Sequence, residues 1–243
     1  MVLLHAGVAD RTMWAELRPA IVCAGYRVIA PDLPGYGDAV PGADLAPWSD
    51  VLQTLDSLGV RRFALIGNSF GGAIALDIAV CAPDRIAALL LVSAPPLDLT
   101  PSDELQAVWG AEESALDRGD IDGAVRGIVD AWTLPGDSRT RDRVASMQRR
   151  AFELQLAAGE LREVPEPVEA DRGALAHLGI PVLVAAGERD MADFATGAAS
   201  LARELGAQPP AVIAGAGHLA PLEQPDAFRS LALGFLSEAA PAW

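Results

Sequence analysis

Residues 65–76 read LIGNSFGGAIAL. The apolar run "RRFALIGN" stops at Asn68, and "FGGAIALDIAVCAP" carries apolar residues at helical spacing from Phe70 onward. A strand that passes at once into a helix must bend sharply at Ser69. Gly67 and Gly71 remove the side chains that would collide around that bend. Gly-x-Ser-x-Gly in this setting presents a serine hydroxyl at the carboxyl end of a strand. The Phe70 amide, at the helix start, faces any negative oxygen formed there. The plainer reading of the same residues is a glycine-rich turn in which Ser69 caps the helix.

Working outward, strands and helices alternate. "VLLH", "YRVIAPD" and "RIAALLLVSAP" read as buried strands, and "MWAELRPAIVCAG" and "LAPWSDVLQTLDSLG" as helices. Strict alternation implies an α/β fold, a parallel sheet with helices on both faces. From 97 to 171 strand-like runs vanish. The stretch is helical, acidic and arginine-rich, leaves through the proline-rich "VPEPVEAD", and reads as an all-helical insert. Alternation resumes with "PVLVAAG", "FATGAASLARELG", "PAVIAG" and "PDAFRSLALGFLSEA". The expected division is a core of 1–96 and 172–243 and an insert of 97–171.

The 243 residues suit one core domain with an insert, and 51% hydrophobic residues suffice for a large core. No apolar run approaches the roughly 20 residues of a membrane helix. The first residues do not form a signal peptide, so a cytoplasmic setting is expected. The net charge is -15, and all 18 basic residues are arginine. That balance argues against nucleic acid as a partner and makes polyanionic substrates poor candidates. Cys23 and Cys81 sit in apolar stretches and read as buried free thiols, without metal-ligand company.

Ser69 needs a base, and there are three histidines. His177 ends a surface helix. His5 follows the first strand, at the turn beside the elbow. His218 sits in the glycine loop of "AVIAGAGHLAPLEQP", after the last strand, and is the candidate base. A base needs a carboxylate to hold its tautomer. Glu188, Asp190 and Asp193 follow the strand "PVLVAAG". Asp190 fits best, because Glu188 is too close to the strand end and Asp193 is placed to cap the next helix. Asp77 and Asp84 read as surface charges. The Arg149-Arg150 pair is either a solvated helix face or a partner for a substrate carboxylate.

Five segments in order, "LLHAG", "VIAPDLPGYG", "LIGNSFGG", "VLVAAGERD" and "GAGHLAPLEQP", resemble the α/β-hydrolases, serine-nucleophile branch, over essentially the whole chain. The resemblance implies a catalytic triad of Ser69, Asp190 and His218, in the chain order of that family. It implies an oxyanion hole from the backbone N–H groups of Gly7 and Phe70, although His5-Ala6 stands where the family has His-Gly. It gives Asp32 a loop-fixing role and makes 97–171 a cap over the site. Val8, Trp14, Trp109, Trp132 and Leu219 are candidate pocket residues; the cap tryptophans also suit a cap core. No cofactor or metal is implied. A serine at position 69 separates the chain from the aspartate-nucleophile dehalogenases and epoxide hydrolases.

The activity expected from this resemblance is hydrolysis of a small carboxylic ester or lactone. The alternatives are cleavage of a carbon–carbon bond in a ring-fission product, on the likeness of "GNSFGG", and a silent ligand-binding protein on the same fold. Haloperoxidase-like perhydrolysis is a side activity the same triad allows. Family members carry two further strands before "VLLH". The sheet is therefore expected to hold about six strands, all parallel, with "YRVIAPD" as an uncovered edge. Such an edge invites pairing, so either the chain forms a homodimer there or its true start lies upstream.

Overall fold

The computed structural model describes residues 1–239. In chain order they form β1 (Val2–Leu4), a 3-10 turn (Arg11–Trp14), α1 (Arg18–Cys23), β2 (Asp44–Leu45), α2 (Pro47–Ser57), β3 (Phe63–Asn68), α3 (Phe70–Cys81) and β4 (Ile86–Val92). Then come α4 (Asp103–Asp117), α5 (Ile121–Trp132), α6 (Ser138–Ala158), β5 (Arg162–Glu163) and α7 (Pro167–Ala170). The chain closes with β6 (Val182–Gly187), α8 (Ala192–Glu204), β7 (Ala211–Ile213), α9 (Ala220–Glu223) and α10 (Pro225–Ala239).

Five strands make the central sheet, in the order β1-β3-β4-β6-β7, and every pair is parallel. Side chains alternate between its faces. Leu3, Ile66, Leu90 and Ala185 pack toward Ile21 of α1 and Phe228 and Leu236 of α10. Leu4, Leu65, Leu91 and Val184 pack toward Leu55 of α2, Ile74 and Ile78 of α3 and Leu201 of α8. Burial on both faces is why these strands read as unbroken apolar runs. Each fully buried leucine contributes roughly 2 kcal/mol.

"YRVIAPD" lies beside β1 as expected, but it meets β1 at a single bridge, Val2 with Ile29. Leu3 N–H donates to Ile29 O at 2.9 Å, and Ile29 N–H to Met1 O at 2.8 Å. The sheet therefore has five strands rather than about six. Residues 26–32 are partly buried, with Arg27 exposed, and Pro31 cannot donate to a ladder.

The stretch 97–171 is mostly α4, α5 and α6, each started by a side-chain cap. Ser102 accepts from Leu105 N–H, Asp120 from Gly123 N–H and Asp137 from Thr140 N–H. It is not helical throughout, because β5 pairs in parallel with β2.

Two further expectations are corrected. Cys23 and Cys81 are exposed free thiols, not buried ones. Both end helices: only Ile21 of α1 is buried, and Cys81 is the last residue of α3. Asp77 is not a surface charge but is 3% exposed, because α7 packs over α3 and Val168 N–H donates to Asp77 Oδ1 at 3.1 Å. Burial pushes its carboxyl up to about 6. Asp84 is exposed, as expected.

Candidate active site

Ser69 lies between β3 and α3 with φ 52° and ψ -117°, a strained conformation for a residue with a side chain. The bend closes only because its neighbours lack side chains. A Cβ on Gly67 would come within 2.3 Å of Gly71 O, and one on Gly71 within 2.3 Å of Leu4 O. Ser69 N–H is held by Val92 O at 2.8 Å. Its hydroxyl makes no capping bond to α3, so the plainer reading of the turn fails.

The hydroxyl instead meets His218, with Oγ to Nε2 at 2.7 Å, and His218 Nδ1 lies 2.9 Å from Asp190 Oδ1. Asp190 follows β6 and His218 follows β7, so the turns after β3, β6 and β7, all at the carboxyl edge of the sheet, supply the three groups. Both side chains are withdrawn from water, at 5% exposure for His218 and none for Asp190. Asp190 Oδ1 also accepts from Met191 N–H at 2.8 Å. With a carboxylate at Nδ1, the neutral imidazole carries its proton there. Nε2 is left as an acceptor for the serine proton.

The other acids have different work. Glu188 accepts from Gly215 N–H at 2.8 Å, bracing the loop before His218. Asp193 does not cap α8. It accepts from the amide and hydroxyl of Ser102, the cap residue of α4, at 2.8 and 2.7 Å. His5 is fully buried and no base for Ser69: Leu33 N–H donates to its Nε2 at 2.9 Å, and Nδ1 bonds Ala6 O. Burial pushes its pKa down, and the ring pins the turn that carries Gly7. His177 is exposed at the end of a short 3-10 helix. Asp32 fixes its loop, accepting from Arg11 N–H at 2.8 Å and Asp38 N–H at 2.9 Å and pairing with the Arg11 guanidinium.

Gly7 adjoins Phe70, since a Cβ on Gly7 would lie 3.3 Å from Phe70 Cβ. Both line a cavity of about 310 Å³ together with Ser69 and His218. Val8, Trp109 and Trp132 line it. Trp14 and Leu219 do not and are corrected. Trp14 is fully buried and packs on Phe228 at 6.1 Å between ring centroids, and Leu219 is a core residue. Arg149 pairs with Asp122 and Arg150 donates to Gly37 O, both away from the cavity.

Several lining residues were not singled out in the sequence. Phe194 packs against the His218 ring at 4.5 Å between centroids, as does the sequence candidate Trp132 at 4.4 Å. Tyr36, Glu112 and Gln148 also line the cavity, and burial pushes the Glu112 carboxyl above its usual range. Asn68, fully buried, donates through Nδ2 to His218 O at 3.2 Å. Glu223 accepts from Gly217 N–H at 2.7 Å and from Leu134 N–H at 3.0 Å, tying the His218 loop to the end of α5. For Gln148 and Glu112 the sequence held a signal. Gln148 lies on the stripe Val144, Met147, Ala151, Phe152 of α6, and Glu112 falls between Leu105 and Ala115 on α4. A polar residue on an apolar stripe is either paired or aimed into a cavity.

A family model described as "Alpha/beta hydrolase family" matches residues 1–231. A 2-hydroxymuconate semialdehyde hydrolase of Pseudomonas sp. (strain CF600) is 34% identical over 121 residues, which are 47% of this chain and 43% of that protein. A pimeloyl-[acyl-carrier protein] methyl ester esterase of Aromatoleum aromaticum (strain DSM 19018 / LMG 30748 / EbN1) is 36% identical over 111 residues, 45% of this chain and 42% of that protein. These matches span less than half the length of those curated relatives. Among solved structures, the esterase RhEst1 from Rhodococcus sp. ECU1013 superposes with a TM-score of 0.73 at 26% identity, covering 98% of this chain and 90% of that one.

Proposed function

The chain belongs to the alpha/beta hydrolase family, and from that premise we propose that it is a serine hydrolase of small carboxylic esters or lactones. The observation that carries this reading is the unbroken chain of short contacts from Ser69 Oγ through His218 to Asp190. Ser69 attacks the carbonyl carbon while His218 Nε2 takes its proton. The negative charge on the carbonyl oxygen rests on the N–H groups of Gly7 and Phe70. His218⁺, held by Asp190, then gives the proton to the leaving alcohol, and water releases the acyl group by the same steps reversed. These steps use only the chain's own groups, a small-molecule substrate and water. Residues 97–171 act as a cap on a core of 1–96 and 172–243, with Trp109, Ile128, Trp132 and Gln148 walling the cleft.

The chemistry of the cleft favours a neutral substrate. Among the described residues no arginine lines the cavity, and Glu112 does. A ring-fission substrate with a carboxylate would meet a carboxyl group and no cation, so carbon–carbon cleavage ranks below ester cleavage. The complete triad ranks a silent binding protein lower still.

The test is a panel of p-nitrophenyl acetate, butyrate, hexanoate and octanoate beside γ-butyrolactone and a ring-fission dienone carboxylate. The expected result is saturable turnover of at least one ester or the lactone, and a far smaller kcat/KM for the dienone. Dienone cleavage faster than every ester and the lactone would overturn the substrate class.

A further inference from the structure

Gln148 stands out in the cleft. The residue, on α6, is 3% exposed, and its Oε1 atom is buried with no hydrogen-bond partner among the described residues. It lines the same cavity as Ser69 and His218. An amide oxygen left unpaired away from water is destabilising. A leucine or methionine would fill the same volume without that penalty, so the apolar stripe of α6 gives no reason for a carboxamide there. Its neighbours on the helix do not supply one. Met147 accepts from the Thr12 hydroxyl, and Arg149 and Arg150 turn outward to Asp122 and Gly37.

We infer that Gln148 is a specificity-determining residue, and that it selects neutral esters or lactones carrying a hydroxyl group that hydrogen-bonds its carboxamide. The inference rests on the serine hydrolase reading above. A hydroxyl both donates and accepts, so it satisfies the carboxamide in either orientation of the amide. A carboxylate brings only acceptors: it can take the Gln148 amide N–H but leaves the amide oxygen unpaired, and it would face the Glu112 carboxyl. An ammonium group needs an ionised partner, while burial favours the neutral form of Glu112. The remaining walls, Trp109, Ile128, Trp132 and Phe194, are apolar or aromatic and suit the carbon skeleton.

The experiment compares two matched pairs in kcat/KM. p-Nitrophenyl butyrate and p-nitrophenyl 3-hydroxybutyrate place the hydroxyl on the acyl side. Propyl butyrate and 2-hydroxyethyl butyrate place it on the alcohol side. Wild type is expected to favour the hydroxylated member of at least one pair by about tenfold, the worth of one good hydrogen bond. Gln148→Leu and Gln148→Met, which keep the volume, are expected to bring that ratio close to one. The ratio within a pair is read, so a general loss of activity in a variant does not mimic the effect. Equal turnover of both members by wild type, or a preference unchanged in both variants, overturns the inference. Labelling of Ser69 by a fluorophosphonate separates the two levels: with labelling, the lack of a preference sinks this inference alone. Without labelling of folded protein, the hydrolase reading fails and takes the inference with it.

Discussion

Replacing Asn68 tests how the elbow holds the base. Asn68 Nδ2 donates to two carbonyl oxygens, Val92 O at 3.1 Å and His218 O at 3.2 Å, while its own Oδ1 is buried without a partner among the described residues. Asn68→Ala removes both bonds, each worth about 1 kcal/mol. Val92 O keeps the Ser69 N–H, and His218 O loses the Asn68 donor. Removing Oδ1 relieves one unpaired acceptor and opens a small void. The net destabilisation is about 2 kcal/mol. Asn68→Asp keeps the volume but turns the donor into an oxygen facing two oxygens. That change buries a carboxylate with nothing to neutralise it, at a cost of about 4 kcal/mol. The isosteric variant should therefore be the less stable one at neutral pH, and the gap should narrow in acid as the new carboxyl gains a proton it can donate. Urea denaturation with a shared m-value measures the difference. Ester turnover should fall about tenfold in Asn68→Ala, because a freed His218 loop misplaces the ring. If Asn68→Asp proves as stable as wild type, or more stable than Asn68→Ala, donation by Nδ2 is not what holds the loop.

Other outcomes follow from single contacts. Gly71→Ala forces a Cβ into the backbone oxygens of Leu4 and His5 and should destabilise by about 3 kcal/mol or leave the protein insoluble. Gly234→Ala, on an exposed stretch of α10 with nothing near the new Cβ, should stabilise by about 1 kcal/mol; equal effects at the two sites would remove the steric account of the elbow. Burial pushes the Asp77 carboxyl up to about 6 in the folded chain from an ordinary 3.8. Between those values the folded state holds more protons than the unfolded one. Stability from this group is thus full below about pH 4 and is lost as pH rises through about 6. Asp77→Asn should flatten the stability profile in that window, and an unchanged slope in urea titrations at several pH values would refute the assignment.

The elbow was legible because it is local. Two glycines and a strand-to-helix switch within twelve residues state the bend, and the structure adds only the atoms that would clash. Asp190 and His218 were legible because each follows a strand, and parallel strands bring their carboxyl ends to one edge. What escaped depends on contacts far apart in sequence. Asp77 is buried by Val168, 91 residues away. Trp14 is buried in the core instead of lining the pocket because α10 brings Phe228 against it. The rings flanking His218 come from α5 and α8, and no period within either helix says which neighbour they meet. "YRVIAPD" has the composition of a strand, but its ladder is one bridge long, a property of its neighbours rather than its residues. The arginine pair at 149 and 150 drew notice for its charge, while the residue aimed into the cleft was the uncharged Gln148 beside it.

Intact-mass analysis after treatment with a fluorophosphonate tests the central claim most directly. The reagent becomes covalently attached to a serine only where a base activates it and an oxyanion site holds the phosphoryl oxygen. The account predicts one adduct per folded wild-type chain, located on the peptide containing Ser69, and none on Ser69→Ala. An unlabelled wild type that is folded by circular dichroism, or an equal adduct on Ser69→Ala, would contradict it.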